Sequence, residues 1–373
     1  MKKIKILYYG YTGNIGGIEK YLINVYRNID KINFDIKFLI FKNEKPCFFN
    51  EIKDDIIYIT SRRENYFKFC KELKQIFINN NFDIIHLNYV DFSCFEPALY
   101  AKKYSNAKVI LHSHIAFFKM PTLKTKILNE IGLHKLIKND NLFYKVGCSE
   151  LANEYMFRKF KKNNATVLNN GVDVNQFAFN LESRKRVRNE LGIDEKCILL
   201  GNVGRMVYQK NQEYLIDILS NLSRNSNNYK LLIIGKGPLK SKIIQKAKKL
   251  DILDKLIILS DINNVYDYMS GMDIFVFPSN FEGLGIVLIE AQASGLKCIT
   301  SDKVVPYEVN VTGEVCFEKL KSFNKWIEYI LSNSDQKRYN KLDMISENYD
   351  IKNSVKNLEI YYMNILEANN NEQ

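Results

Sequence analysis

The sequence predicts an α/β protein of two doubly wound parallel sheets, one in each half of the chain, facing one another across a cleft. Three observations predict it. Short apolar runs alternate with segments of helical spacing along nearly all of the 373 residues, the pattern of parallel strands covered by helices on both faces. The alternation comes as two series in succession. Between them, at Leu168–Phe177 ("LNNGVDVNQF"), Asn, Gly and Asp cluster as in a linker. Ligands of such sheets sit at the carboxyl ends of the strands, so two facing domains share one cleft.

The first series begins with "IKILYY", then the glycine turn "GYTGNIGG", then "IEKYLINVYRNI", in which Ile18, Leu22, Val25 and Ile29 recur at helical spacing. Strand, glycine turn and helix together present free backbone N–H groups and the positive end of a helix dipole, which suits a phosphate. The glycines are spaced GxxGxxGG rather than GxGxxG, so the loop does not match the dinucleotide fingerprint of an oxidoreductase. The runs "DIKFLIF", "DIIYIT", "FDIIHLN", "KVILHSH" and "NLFYKVGCS" complete the first series, with helical pieces such as "YFKFCKELKQIFINN" between them. The second series is "CILLGNVG", "YKLLIIGKG", "KLIILSD", "DIFVFPS" and "KCITSD". The expected divisions are a first domain over 1–169, a second over 170–350, and a final helix over 351–373 that packs back on the first domain.

The apolar fraction of 46% and charged fraction of 26% are those of a soluble globular protein. No apolar run approaches the roughly 18 residues of a membrane span. The opening "MKKIKILYYGYTG" leads into glycines rather than a cleavage site, so no signal peptide is read and the cytoplasm is the expected location. Seven cysteines without a CxxC pair read as reduced core residues. The net charge of +12 is concentrated: residues 1–173 carry 28 Lys and Arg against 17 Asp and Glu, and the remainder is nearly balanced. A basic face attracts nucleic acid, an anionic membrane or an anionic substrate. No nucleic-acid motif accompanies this one, so nucleic acid is not an expected partner.

The densest chemistry lies at the strand ends of the second series. After "CILLGNVG" come Arg205 and Lys210, two cations beside a helix start, suited to a diphosphate. After "DIFVFPS" comes "NFEGLGIVLIEA", with Glu282 and, eight positions on, Glu290. Gly283 and Gly285 allow a ligand close to the backbone. A carboxylate inside the apolar "GIVLIEAQA" is costly without a partner. Two carboxylates that accept hydroxyls, at opposite ends of an extended ligand, suit a nucleotide sugar.

These segments, "GRMVYQKN", "IIGKGP", "FVFPSNFEGLGIVLIEAQASGLKCITSD" and "NNGVDVNQF", together resemble the retaining glycosyltransferases of family 4, which have two Rossmann-like domains in the B-type fold. The resemblance reaches the first half through "GNIGGIEKYLINVYRNI", "FDIIHLN", "KVILHSH" and "GCSELANEYMF", and is nearest to enzymes of bacterial capsule and exopolysaccharide assembly. It implies that Arg205 and Lys210 bind the donor diphosphate. It also implies that Glu282 holds hydroxyls of the donor hexose with backbone N–H groups around Leu284 and Gly285, and that Glu290 holds the ribose. His114 matches the first-domain histidine that approaches donor sugar and acceptor, and Gly16 and Gly17 match the loop that closes over the phosphates. Asn169 stands where the family commonly has Pro, which bears on linker stiffness.

The implied reaction is transfer of a hexose or N-acetylhexosamine, with retention, from a nucleotide sugar (a UDP-sugar is the leading expectation) to a lipid-linked or polysaccharide acceptor. No Asp-x-Asp motif occurs in the sequence. Arg205, Lys210 and helix N-termini would carry the leaving-group charge, so neither a metal nor another cofactor is expected. The alternatives are a sugar-nucleotide epimerase of the same fold and a non-catalytic nucleotide-sugar binding protein.

His112 and His114 share one face of a strand, and no third ligand is evident for a metal. His112 reads as structural or cleft-lining, His114 as functional, and His86 as a further cleft candidate for the acceptor. The segment Lys119–Lys138 carries five lysines and one glutamate, with Leu123, Ile127 and Ile131 on one stripe. Such a helix either lies on an anionic membrane, as a peripheral protein at the inner face would, or packs that stripe on its own domain.

Overall fold

The computed structural model describes residues 3–13, 16–116, 122–161, 164–226, 228–334 and 338–368. The chain divides into two compact units, one of Met1–Gly171 with Ile351–Gln373 and the other of Val172–Asp350.

The first unit is built on a parallel sheet of β1 (Ile4–Tyr9), β2 (Phe34–Phe41), β3 (Ile56–Ile59), β4 (Ile84–Tyr89), β5 (Lys108–Ser113), β6 (Phe143–Gly147) and β7 (Thr166–Val167). Its order is β3-β2-β1-β4-β5-β6-β7. The direction of winding therefore reverses between β1 and β4, where Tyr8 lies beside His86. The central strands are buried on both faces because helices cover both, as a parallel sheet requires. Helix α1 (Gly17–Asn28) covers one face with Leu22 and Val25. Helix α2 (Leu123–Lys138) presents Leu133 and Leu136 to the opposite face.

The second unit repeats the plan with β8 (Ile198–Val203), β9 (Tyr229–Ile234), β10 (Leu256–Leu259), β11 (Ile274–Phe277), β12 (Lys297–Ser301) and β13 (Val315–Glu318), in the order β10-β9-β8-β11-β12-β13. Its reversal lies between β8 and β11. Helix α3 (Gln212–Asn225) follows β8, and helix α4 (Ile286–Ala293) follows β11. The chain then returns to the first unit as helix α5 (Ile351–Glu367). Ile351, Val355, Leu358, Tyr362 and Ile365 of α5 are buried in the same cluster as Ile6, Tyr8 and Leu22, a stripe at helical spacing.

Each sheet holds one strand more than the apolar runs predict. β7 is two residues long and β13 is a four-residue edge strand, half-buried beyond Val315, so neither is marked by a long apolar run. In α2 the outcome differs from a reading of the stripe as a packing face. Leu123, Ile127 and Ile131 are 73%, 53% and 42% exposed. The helix packs instead through Asn129, Gly132, Leu133 and Leu136, where the Asn129 side chain accepts the Phe92 N–H at 2.8 Å. Lys119 of the basic segment lies outside the described residues. No described helix is long and apolar enough to cross a membrane.

Candidate functional site

In doubly wound sheets ligands bind outside the carboxyl ends of the strands at the point where the winding reverses. In the second unit that point gathers most of the residues singled out by sequence. The turn after β8 carries Arg205 and then a short helical turn ending at Lys210. The turn after β11 carries Ser279 and Glu282. The two turns are joined by an ion pair: Lys210 Nζ lies 2.7 Å from Glu282 Oε1. The same carboxylate oxygen accepts the Ser279 hydroxyl at 2.6 Å, and Oε2 accepts the Gln209 amide at 3.3 Å. Lys210 also sits over the Phe277 ring, 4.6 Å from its centroid. Glu282 is 5% exposed, so its charge is held in a low-dielectric setting where these bonds are needed.

The segment after Glu282 is buried and ends at Gly285, whose φ of +87° is accessible to glycine at little cost. That residue turns the chain into α4. The N–H groups of Leu284 and Gly285 find no backbone acceptor among the described residues. Glu290 lies within α4, 6% exposed, and its carboxylate has no hydrogen-bond or ion-pair partner among the described residues. Arg205 is exposed and forms no ion pair among them. The backbone around it is fixed by Gln212, whose amide donates to the Arg205 carbonyl at 3.0 Å. Among the described residues the site thus offers Arg205 without an ion-pair partner, Lys210 shared with a carboxylate, and Glu290 as an unpartnered carboxylate.

At the corresponding point of the first unit the side chains at the ends of β4 and β5 are uncharged. Asn88, at the end of β4, donates to the Tyr9 carbonyl at 2.9 Å and meets His114 Nε2 at 2.7 Å through its own carbonyl oxygen. Burial pulls the His114 pKa down to about 3, which keeps its imidazole uncharged. The cleft reading of His86 and His112 does not hold, whereas the structural reading of His112 agrees with its burial. Both are fully buried and neither lines an open surface. His86 Nε2 contacts His112 Nδ1 at 2.9 Å, and His86 Nδ1 contacts the Tyr362 hydroxyl at 2.7 Å, which in turn meets the Tyr8 hydroxyl at 2.6 Å. The reason is α5: its Tyr362 covers the face of the sheet on which these histidines stand. Burial drives both pKa values well below the ordinary 6.5.

Gly16 precedes α1 in extended backbone, and Gly17 is its first residue. The first turn of α1 already holds a carboxylate: Glu19 is buried and accepts the Thr12 hydroxyl at 2.5 Å. An anion at this helix start would meet Glu19. Residues 14 and 15 of the loop lie outside the described residues.

Four contributors were not singled out from sequence: Asn88, Gln209, Ser279 and Tyr362. Asn88 and Ser279 each end an apolar strand run with a polar residue, a signal that was available in "IIHLN" and "FVFPS". Gln209 and Tyr362 carry no such signal, since their roles depend on partners 73 and 276 positions away.

Residues 183–349 match the family of glycosyl transferases group 1. EpsF of Bacillus subtilis, named as a glycosyltransferase, is 29% identical over 299 residues, 78% of this chain and 77% of its own. The Escherichia coli UDP-Gal:alpha-D-GlcNAc-diphosphoundecaprenol alpha-1,3-galactosyltransferase is 27% identical over 157 residues, 41% of this chain and 38% of its own. Among solved structures, Anabaena HepE in complex with UDP-glucose superposes with a TM-score of 0.76 at 16% identity, over 96% of this chain and 99% of that one, a likeness of fold. Residues 183–349 thus form a group 1 glycosyltransferase domain, and the two parallel-sheet units share the fold of solved glycosyltransferase structures.

Proposed function

We propose that the protein transfers a hexose or N-acetylhexosamine, with retention and without a metal ion, from a UDP-sugar to a lipid-linked or polysaccharide acceptor in capsule or exopolysaccharide assembly. The observation that carries this reading is the Lys210–Glu282 pair at the reversal between β8 and β11. In a nucleotide sugar the β-phosphate and the sugar are joined at the anomeric carbon, so a cation for one and a carboxylate for the other belong side by side. Arg205 completes the diphosphate site, and the unpartnered Glu290 carboxylate accepts ribose hydroxyls. Each charge-assisted bond of this kind contributes about 1.5–3 kcal/mol.

As the glycosidic bond breaks, negative charge builds on the diphosphate, and Arg205 and Lys210 stabilise it in place without reorganising. The departing phosphate oxygen takes the proton of the acceptor hydroxyl, which attacks from the same face and preserves the configuration. Glu282 binds sugar hydroxyls rather than acting as the nucleophile: Lys210 and Ser279 hold its Oε1 and Gln209 its Oε2, which fixes the carboxylate as a hydrogen-bonding group. His114 accepts a sugar hydroxyl; its neutral ring is unsuited to donating a proton near neutral pH.

The acceptor class is supported by the diphosphoundecaprenol named for the galactosyltransferase relative and by α2. The exposed stripe Leu123, Ile127 and Ile131, with Lys124, Lys135 and Lys138 on the same helix, suits the surface of an anionic bilayer. Co-sedimentation with anionic vesicles, reduced in Ile127→Glu, is expected; equal binding to neutral vesicles contradicts this part. For the reaction, nucleotide release is measured across UDP-, GDP- and ADP-sugars with lipid-linked acceptors. Activity that survives EDTA and needs a UDP-sugar is expected, and loss of activity in EDTA overturns the metal-free mechanism.

A further inference from the structure

We infer that Asn88 is a positioning residue that fixes the tautomer of His114 and so leaves Nδ1 as the lone-pair acceptor for a sugar hydroxyl. The inference rests on the reading above that His114 contacts the sugar. It starts from the one contact whose polarity is beyond choice. The Tyr9 carbonyl can only accept, so the group of Asn88 that faces it at 2.9 Å is the NH2. Its carbonyl oxygen therefore faces His114 Nε2 at 2.7 Å. A carbonyl cannot donate, so Nε2 carries the hydrogen. In a neutral imidazole the other nitrogen is then an acceptor.

That acceptor is unused. Nδ1 of His114 is buried and has no hydrogen-bond partner among the described residues. An unmet buried acceptor is costly to leave, which points to a hydroxyl or water donor in the working enzyme. The titratable neighbours leave it neutral. The His112 ring lies tilted against it with the centroids 3.9 Å apart, and the Tyr21 ring of α1 lies 5.1 Å away. Burial holds His112 uncharged and raises the Tyr21 hydroxyl well above its ordinary value.

The backbone is shaped to hold Asn88 in this orientation. Gly10, the first glycine of the opening loop, has φ +103°, and a Cβ there would stand 2.6 Å from the backbone carbonyl oxygen of Asn88 and 3.0 Å from its Cβ. The loop's first glycine thus lets the end of β1 close on β4, bringing the Tyr9 carbonyl to the Asn88 amide.

The direct test is nitrogen NMR of the full chain carrying 15N-histidine, which has four histidines to assign. His114 is expected as the Nε2–H tautomer at neutral pH; an Nδ1–H or an evenly mixed ring overturns the inference. The kinetic test is a double-mutant cycle read by UDP release from the best of a panel of UDP-sugars. Asn88→Leu is expected to lower kcat/KM about tenfold or more in the parent and to have little further effect in His114→Ala. Equal losses in both backgrounds, or no loss in either, overturn it. His114→Ala at full turnover instead overturns the sugar contact itself, while the tautomer is still read by NMR.

Discussion

The two sheets reverse their winding at equivalent places, β1/β4 and β8/β11, and the chemistry placed there is opposite. Each place is tied across by a buried asparagine: Asn88 donates to the Tyr9 carbonyl, and Asn202 donates to the Val276 carbonyl at 2.8 Å. Beyond that shared tie the first unit surrounds its reversal with neutral rings, His86, His112, His114, Tyr8 and Tyr362. The second surrounds its own with Arg205, Lys210, Glu282 and Glu290. Topology selects where a ligand goes, and side chains select which part of it. An ionic site suits a diphosphate and its leaving-group charge; a neutral hydrogen-bonding site suits hydroxyls.

Removing the ionic character should have the largest effect. Lys210→Ala deletes a cation and leaves the nearly buried Glu282 with neutral partners only, so turnover should fall about 10²–10³-fold in a UDP-release assay. A variant within threefold of the parent would break the comparison at its strongest point.

Acid should act on the other side. All four histidines lie in the first unit, and His86 and His112 are held neutral in the fold. Below the ordinary value near 6.5 the unfolded chain takes up protons that the folded one does not, so stability present above that pH is lost as pH falls. The loss is about 1.4 kcal/mol per pH unit for each histidine. Calorimetry from pH 7 to 5.5 should show the first unit's transition moving down while the second unit's stays. In the second unit the Asp267 and Glu314 carboxyls are held below their ordinary values, so their contribution is lost only at lower pH.

Smaller effects sharpen the assignment within the ionic site. Glu290→Gln should raise KM for the UDP-sugar about tenfold with kcat nearly unchanged, as for a contact made equally in the ground and transition states. Lys236→Ala should leave steady-state turnover within about twofold, because its partner Asp261 is as exposed as the lysine.

The sequence was most legible where residue type and strand end coincide. Gly204 to Lys210 and Ser279 to Glu290 follow apolar runs, so their shared edge could be read without coordinates. The direct Lys210–Glu282 bond was not legible, because a pairing across 72 positions depends on β8 and β11 being neighbours. His86 and His112 misled for a related reason. A histidine near the end of a strand looks cleft-facing until a helix more than 230 positions later covers it, and Tyr362 does so. The stripe of α2 was read at the right residues, but its exposure depends on Asn129 and Leu133 taking the packing face instead.

The division of labour is tested most directly by titration calorimetry with UDP, which has the diphosphate and ribose but no sugar. Lys210→Ala is expected to weaken UDP binding about tenfold or more while His114→Ala leaves it within about threefold. The reverse pattern, with affinity lost in His114→Ala and kept in Lys210→Ala, would contradict it.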